Sequence, residues 1–185
     1  MYERGIAATS LDEVLAHCGA GKSQLYHYFG NKQDLVRAVI AYQLEQVLAG
    51  QPGLHGLHSW DDFDAWAAAL LARHSTAEGP LACRLGGFAG ELDTDDVLRG
   101  HLSEAFSGWQ SYLERGLVGL RDRGELRADA DPALLAAATM AAVQGGLLLS
   151  RVHRDVTPLR EALSMAISHL HTFQAPAGRT ARKGH

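Results

Sequence analysis

Apolar residues recur at three- and four-residue steps along most of this chain, and that spacing predicts helices. The longest run is 95–123, where Leu98, Leu102, Phe106, Trp109, Leu113, Leu117 and Leu120 follow a 4-4-3-4-4-3 rhythm. Gly124 is placed to end it. Phe63, Trp66, Ala67, Leu70 and Leu71 mark a helix over 60–75. Leu159, Leu163, Ile167 and Leu170 mark another over 157–173, with Thr157 as N-cap and Pro158 at the first helical position. A helix over 132–151 precedes it. Over 32–48, Leu35, Val39, Tyr42 and Val47 fall broadly on one side. Positions 51–59 read as a loop around Pro52. Gly79-Pro80 reads as a break, followed by a short helix over 81–92 rich in small residues. No stretch alternates apolar and polar residues between turn signals, so no sheet is expected and the fold class is all-α.

The front of the chain has a layout of its own. Ser10 and Glu13 form a capping-box pattern, with Leu11, Val14 and Leu15 as the apolar stripe of a helix reaching about His17. Gly19 and Gly21 free the chain to turn. Leu25 and Phe29, four apart, share the inward face of a short second helix. Lys22, Ser23, Gln24, Tyr26, His27 and Tyr28 are left for its outer surface and ends. Gly30 suits a left-handed stop, and Asn31 caps the next helix with Asp34 in its first turn. Two short helices joined by a glycine-containing turn are the layout of a helix-turn-helix.

Thr9-Ser10-Leu11-Asp12-Glu13-Val14-Leu15-Ala16, then Gly19 to Phe29, then Asn31-Lys32-Gln33-Asp34-Leu35 resembles the DNA-binding domain of the TetR family of transcriptional regulators. The Leu25-Tyr26-His27-Tyr28-Phe29 run is its most specific part. Gly124-Glu125-Leu126-Arg127-Ala128-Asp129-Ala130-Asp131-Pro132 resembles the family's link between its seventh and eighth helices. Positions 83–92 resemble a sixth-helix pattern of one subgroup. Only Met1 to Arg4 precede Gly5, so most of the family's first helix is expected to be missing from this chain. Ala20 and Gly21 stand where the family usually has Val and Ser, which removes a side-chain cap from the second helix.

The resemblance implies a DNA-binding head over 1–50, a helical effector-binding and dimerisation domain over 51–175, and a tail over 176–185 expected to be disordered. It implies a homodimer through 132–173 and a palindromic operator. Gly145 and Gly146 cost about 1 kcal/mol each inside a helix relative to Ala, and a close helix contact would offset that.

Charge complicates the picture. The chain carries a formal net charge of −4. Positions 1–50 hold four cations against five acids, a net of −1, so no broad basic patch steers DNA and non-specific affinity should be low. The uncharged stretch 132–150 is long enough to consider as a membrane span. Its alanines, with Thr139, Gln144, Gly145 and Gly146 and no aromatic belt, favour a core helix. Cys18 and Cys83 suit a reduced, cytoplasmic protein and form no metal-type pair.

Alone, Lys22, Ser23, Gln24, Tyr26, His27, Tyr28 and Lys32 would read as solvated helix residues; the resemblance makes them DNA contacts. Gln24 can read adenine and Lys22 guanine or phosphate, while Tyr26, Tyr28 and Lys32 position the backbone. Thr9 and Ser10 are further phosphate candidates, although capping alone explains Ser10. The resemblance also implies an effector pocket among the family's fifth to eighth helices. Phe63, Trp66, Leu70, Leu85, Phe88, Phe106, Trp109, Met140 and Gln144 are its candidate lining, and a packed core explains each of them equally well. Their low charge points to a small apolar effector, with Gln144 wanting a partner that a ligand supplies. His55 and His58 lack further ligands at metal spacing, and no cofactor or metal is expected. No nucleophile-base-acid set occurs, so the chain is not expected to be an enzyme. The reading is a ligand-responsive transcriptional regulator, most simply a repressor released by its effector. The rival is a helical sequestering protein or enzyme with a vestigial DNA head.

Overall fold

A computed structural model describes residues 6, 9–19, 21–76, 82–91 and 95–176, except the side chains of Gln24 and Tyr26. The expectations for the first helix before Gly5, for the Gly79-Pro80 break and for the tail beyond Pro176 fall outside them. Seven α-helices are described: α1 (Leu11–Cys18), α2 (Lys22–Tyr28), α3 (Lys32–Ala49), α4 (Trp60–His74), α5 (Asp96–Asp122), α6 (Pro132–His153) and α7 (Thr157–His171). Among the described residues the only extended pairing is an isolated bridge between Leu126 and Gln174.

The caps explain several boundaries. Glu13 N–H donates to Ser10 Oγ at 3.2 Å, and Ser10 N–H donates to the Glu13 carboxylate at 2.9 Å, so both halves of the box on α1 form. Ser59 and Asp62 repeat the device on α4. Asn31, Asp95 and Asp131 cap α3, α5 and α6 with side-chain acceptors. Gly19 and Gly124 close α1 and α5 in the left-handed region, where glycine carries no Cβ penalty.

Four expectations need correction. Gly30 does not adopt a left-handed conformation: α2 already ends at Tyr28, and Gly30 lies in a bend leading to Asn31. The segment 81–92 is not an α-helix over its described part; Ala82 to Leu85 turn, and Gly86–Glu91 is a 3₁₀ helix. Three glycines lower its α propensity, and burying Leu85 and Phe88, three apart, suits three residues per turn. The 51–59 loop contains a 3₁₀ turn, Pro52–Gly56. Thr157 opens α7 without capping it. The Asp155 carboxylate accepts from both its N–H and its hydroxyl.

The core lies where α5 runs through the centre of the body. Leu113, Leu117 and Leu120 on α5, Phe63 on α4, Leu85 just before the 3₁₀ segment, Phe88 within it and Leu159 on α7 are all at or near zero exposure. The face of α3 differs from the expected one: Leu35, Val36, Ile40 and Gln43 are buried, while Tyr42 is 54% exposed. α3 must serve the head with its first turn and the body with the rest, which rotates its buried face.

The C-terminal pair α6 and α7 packs tightly. A Cβ at Gly146 would sit 2.9 Å from the Leu159 Cα, so only glycine allows this approach. Gly145 has nothing within 4 Å and faces outward, so the expected close contact holds within the chain for one glycine of the two. Ser150, fully buried, accepts the Leu159 N–H at 3.1 Å, an otherwise orphaned donor in the first turn of α7. α6 is long and apolar enough to cross a membrane by length and composition, with 44% of that stretch buried. Its outward side carries Leu134, Leu148, Leu149 and Val152, and α7 adds Met165.

Candidate nucleic-acid interface and effector cavity

α1 and α2 pack through Leu15 and Leu25, both buried, with Phe29 half-buried beside them. A seven-residue helix cannot hold itself in water, so this contact with α1 supports it. The opposite side of α2 is open. Ser23 and His27 are exposed and Tyr28 is 76% exposed, an unusual cost for an aromatic ring without a partner surface. The His27 ring meets the Tyr28 ring edge-on at 5.3 Å. Lys22 Nζ lies 3.9 Å from Asp12, an exposed pair weak enough for a phosphate to replace. Lys32, half-buried, opens α3 at the positive end of the helix dipole, where a cation is disfavoured unless an anion joins it.

Of the expected DNA-facing residues, Lys22, Ser23, His27, Tyr28 and Lys32 fall around this surface. The side chains of Gln24 and Tyr26 lie outside the described residues. Ser10 spends its hydroxyl in the cap, donating to Glu13 at 3.1 Å. Thr9 is corrected: at 5% exposure it packs inside and presents no hydroxyl to a backbone phosphate.

Two further contacts tie the head to the body. Gln33 Nε2 donates to Asp95 Oδ2 at 2.9 Å, bridging α3 to the cap of α5. That bond, with the Leu98 N–H, holds the Asp95 carboxyl below its ordinary range. The Ile6 N–H donates to the Glu91 carboxylate at the end of the 3₁₀ segment, and Ile6 joins the body's core.

The body contains two neighbouring cavities. One, of about 270 Å³, lies between the end of α3, the end of α4, Ala82 to Arg84, and Trp109. The other, of about 220 Å³, lies between the 3₁₀ segment, Phe106 and α6. Ala82, Cys83 and Leu147 border both. Burial pushes the Cys83 thiol up, although hydrogen bonds from Gly86, Leu85 and Gln144 oppose that.

Of the nine expected lining residues, Leu70 and Trp109 border the first cavity and Phe106 and Gln144 the second. Trp66 borders an open groove near Pro52, and its indole N–H donates to Gln51 at 3.0 Å. Phe63, Leu85, Phe88 and Met140 are corrected to core packing; each is at most 6% exposed. Gln144 finds its partners inside the chain, at the Cys83 thiol and at Met140 Sδ, 3.6 Å away. The expected low charge is corrected too, because Arg73, His74 and Arg84 border the first cavity. Periodicity had no means of finding them: at the end of α4, Arg73 and His74 read as ordinary partners of the helix dipole.

Comparison with known proteins agrees with this architecture. Residues 63–166 match the family model described as "Tetracyclin repressor-like, C-terminal domain", and residues 1–39 match "Bacterial regulatory proteins, tetR family". The chain is 32% identical over 165 residues to "Transcriptional regulator AcuR" of Cereibacter sphaeroides, covering 86% of this chain and 74% of that one. It is 26% identical over 181 residues to "HTH-type transcriptional repressor DhaR" of Mycobacterium sp. (strain GP1), covering 91% and 85%. The crystal structure of reduced E. coli NemR superposes with a TM-score of 0.75 at 23% identity, covering 96% of this chain and 92% of that one. Members of this family are DNA-binding regulators that dimerise, and they are not enzymes. The chain belongs to the TetR family of bacterial transcriptional regulators.

Proposed function

We propose that this regulator is a cytoplasmic repressor that binds a palindromic operator as a homodimer and is released by a small, largely apolar effector bound in the body. One observation carries the reading. α3 runs unbroken from Lys32, beside the recognition helix, to Gln46 and Val47 on the cavity wall. A ligand that pushes on the end of α3 moves the head with it, because a helix transmits displacement along its axis.

The 3₁₀ segment supplies a second link. It borders the second of the two cavities at Gly86 and reaches the head through the Glu91 contact with Ile6. The outward side of α6 and α7, with Leu148, Leu149, Val152 and Met165, is the surface that fits a second copy through 132–173. Two-fold symmetry then sets two recognition helices about one DNA turn, roughly 34 Å, apart or a multiple of it. Full release requires the effector to favour the DNA-incompetent geometry by about 10⁴-fold in affinity.

The test is operator binding by the Tyr26→Ala, Lys32→Ala double variant. The reading predicts loss of binding by folded, dimeric protein. Operator affinity equal to that of the unaltered chain would overturn the assignment of the head.

A further inference from the structure

The cavity at the end of α3 has a lining whose chemistry points to one class of ligand. Its wall includes Trp109, 1% exposed, whose indole N–H is buried without a hydrogen-bond partner. That N–H is closed to water, as is the equally unpaired indole N–H of Trp60 away from the cavity, so Trp109 offers the cavity the apolar part of its ring. Phe106 stacks beside that ring at 6.2 Å and 19°.

Arg73, an exposed residue at the rim, is the donor group. Its guanidinium lies against the backbone of Gly50 at the end of α3, and a Cβ at position 50 would meet the Arg73 Cζ at 2.5 Å. The absence of a side chain there therefore sets where the guanidinium rests. Among the described residues no carboxylate borders the cavity. The wall also offers apolar surface at Val47, Leu70 and Leu147.

We infer that this cavity binds a small organic monocarboxylate, its head held by the Arg73 guanidinium and its hydrocarbon part against Trp109, Leu70 and Leu147. The guanidinium fork matches the two carboxylate oxygens, which a neutral amide cannot do. The volume of about 270 Å³ lies near the lower edge of small-molecule sites, roughly 300–1,000 Å³, and limits the ligand to a compact molecule. The inference rests on the proposal that the body is the effector-sensing part, and it adds the effector's charge and functional group.

The experiment is calorimetric titration of the full chain with hexanoate and benzoate, beside hexanamide and benzamide. The carboxylates bind and the amides bind at least about tenfold more weakly. Arg73→Gln lowers carboxylate affinity about tenfold or more and leaves the amides unchanged, whereas Arg73→Lys, which keeps the charge without the fork, retains part of the affinity. Equal binding of amides and acids, indifference to Arg73→Gln, or no heat from either acid at about 10 mM would overturn the inference. A gel-shift arm separates the two claims. Carboxylates that bind through Arg73 without releasing DNA would refute effector release and leave the ligand class standing. Amides that bind and release DNA would do the reverse.

Discussion

The head and the body of this chain solve the problem of folding differently. The body buries Leu113, Leu117, Leu120, Phe63 and Leu159 around a long central helix. The head, among its described residues, rests on Ile6, Thr9, Leu15 and Leu25 and on the first turns of α3. It compensates with side-chain caps and with contacts borrowed from the body, at Glu91 and Asp95. A DNA-reading surface needs its polar and aromatic groups outside, which leaves little to bury. Such a head draws contacts from the body, and in the proposed function those contacts are the route by which an event in the body reaches it.

The largest effect belongs to the body. Leu117→Ala, at a fully buried position, should lower the free energy of unfolding by about 2–5 kcal/mol, read by urea denaturation. An effect under about 1 kcal/mol would show that the centre of the body is looser than its packing indicates.

The next belongs to the head. Lys22→Ala with Lys32→Ala should weaken operator binding more than about tenfold at low salt and reduce the slope of log affinity against log salt by about 2. The melting temperature should hold, because both groups lie outside the core. A melting temperature that falls in step with affinity would assign these lysines to the fold.

Ser10→Ala should cost about 1 kcal/mol, confined to the protection of amides in α1 against hydrogen exchange. Amides of α5 should be unaffected; slowing or speeding there would mean that head and body open as one unit.

The smallest effect concerns acid. Asp95 has a lowered pKa because Gln33 and the Leu98 N–H donate to its carboxylate. Its folded form binds a proton less readily than the unfolded chain, so its stabilisation is present above the ordinary value of 3.8 and lost as pH falls through the lower folded value. Gln33→Leu should therefore reduce the loss of stability between pH 5 and 3, followed by circular dichroism. An unchanged acid profile would show that the bridge is open in solution.

Sequence pattern revealed most of the fold, for identifiable reasons. The capping box at Ser10 and Glu13 and the leucine rhythm of α5 are local signals, and local signals survive folding unchanged. The 82–91 segment did not read correctly, because its conformation answers to the burial of Leu85 and Phe88 against distant helices. The exposed face of α2 was legible as a contiguous stretch at Lys22, Ser23, His27 and Tyr28, whereas the burial of Thr9 is a tertiary fact. The cavity was half legible. Trp109 and Leu70 stand on apolar stripes, but Arg73 and Arg84 come to its wall only because α4 ends beside the turn before the 3₁₀ segment. Apolar periodicity finds cores, and it is blind to the few charges that a fold turns toward a hollow.

The most direct test of the account is selection of bound duplexes from a random pool by the intact chain, with dimerisation verified in the same preparation. The account predicts an inverted repeat whose half-sites are centred about one helical turn, or a multiple of it, apart. A folded dimer that enriches no sequence, or enriches a single unrepeated site, would contradict it.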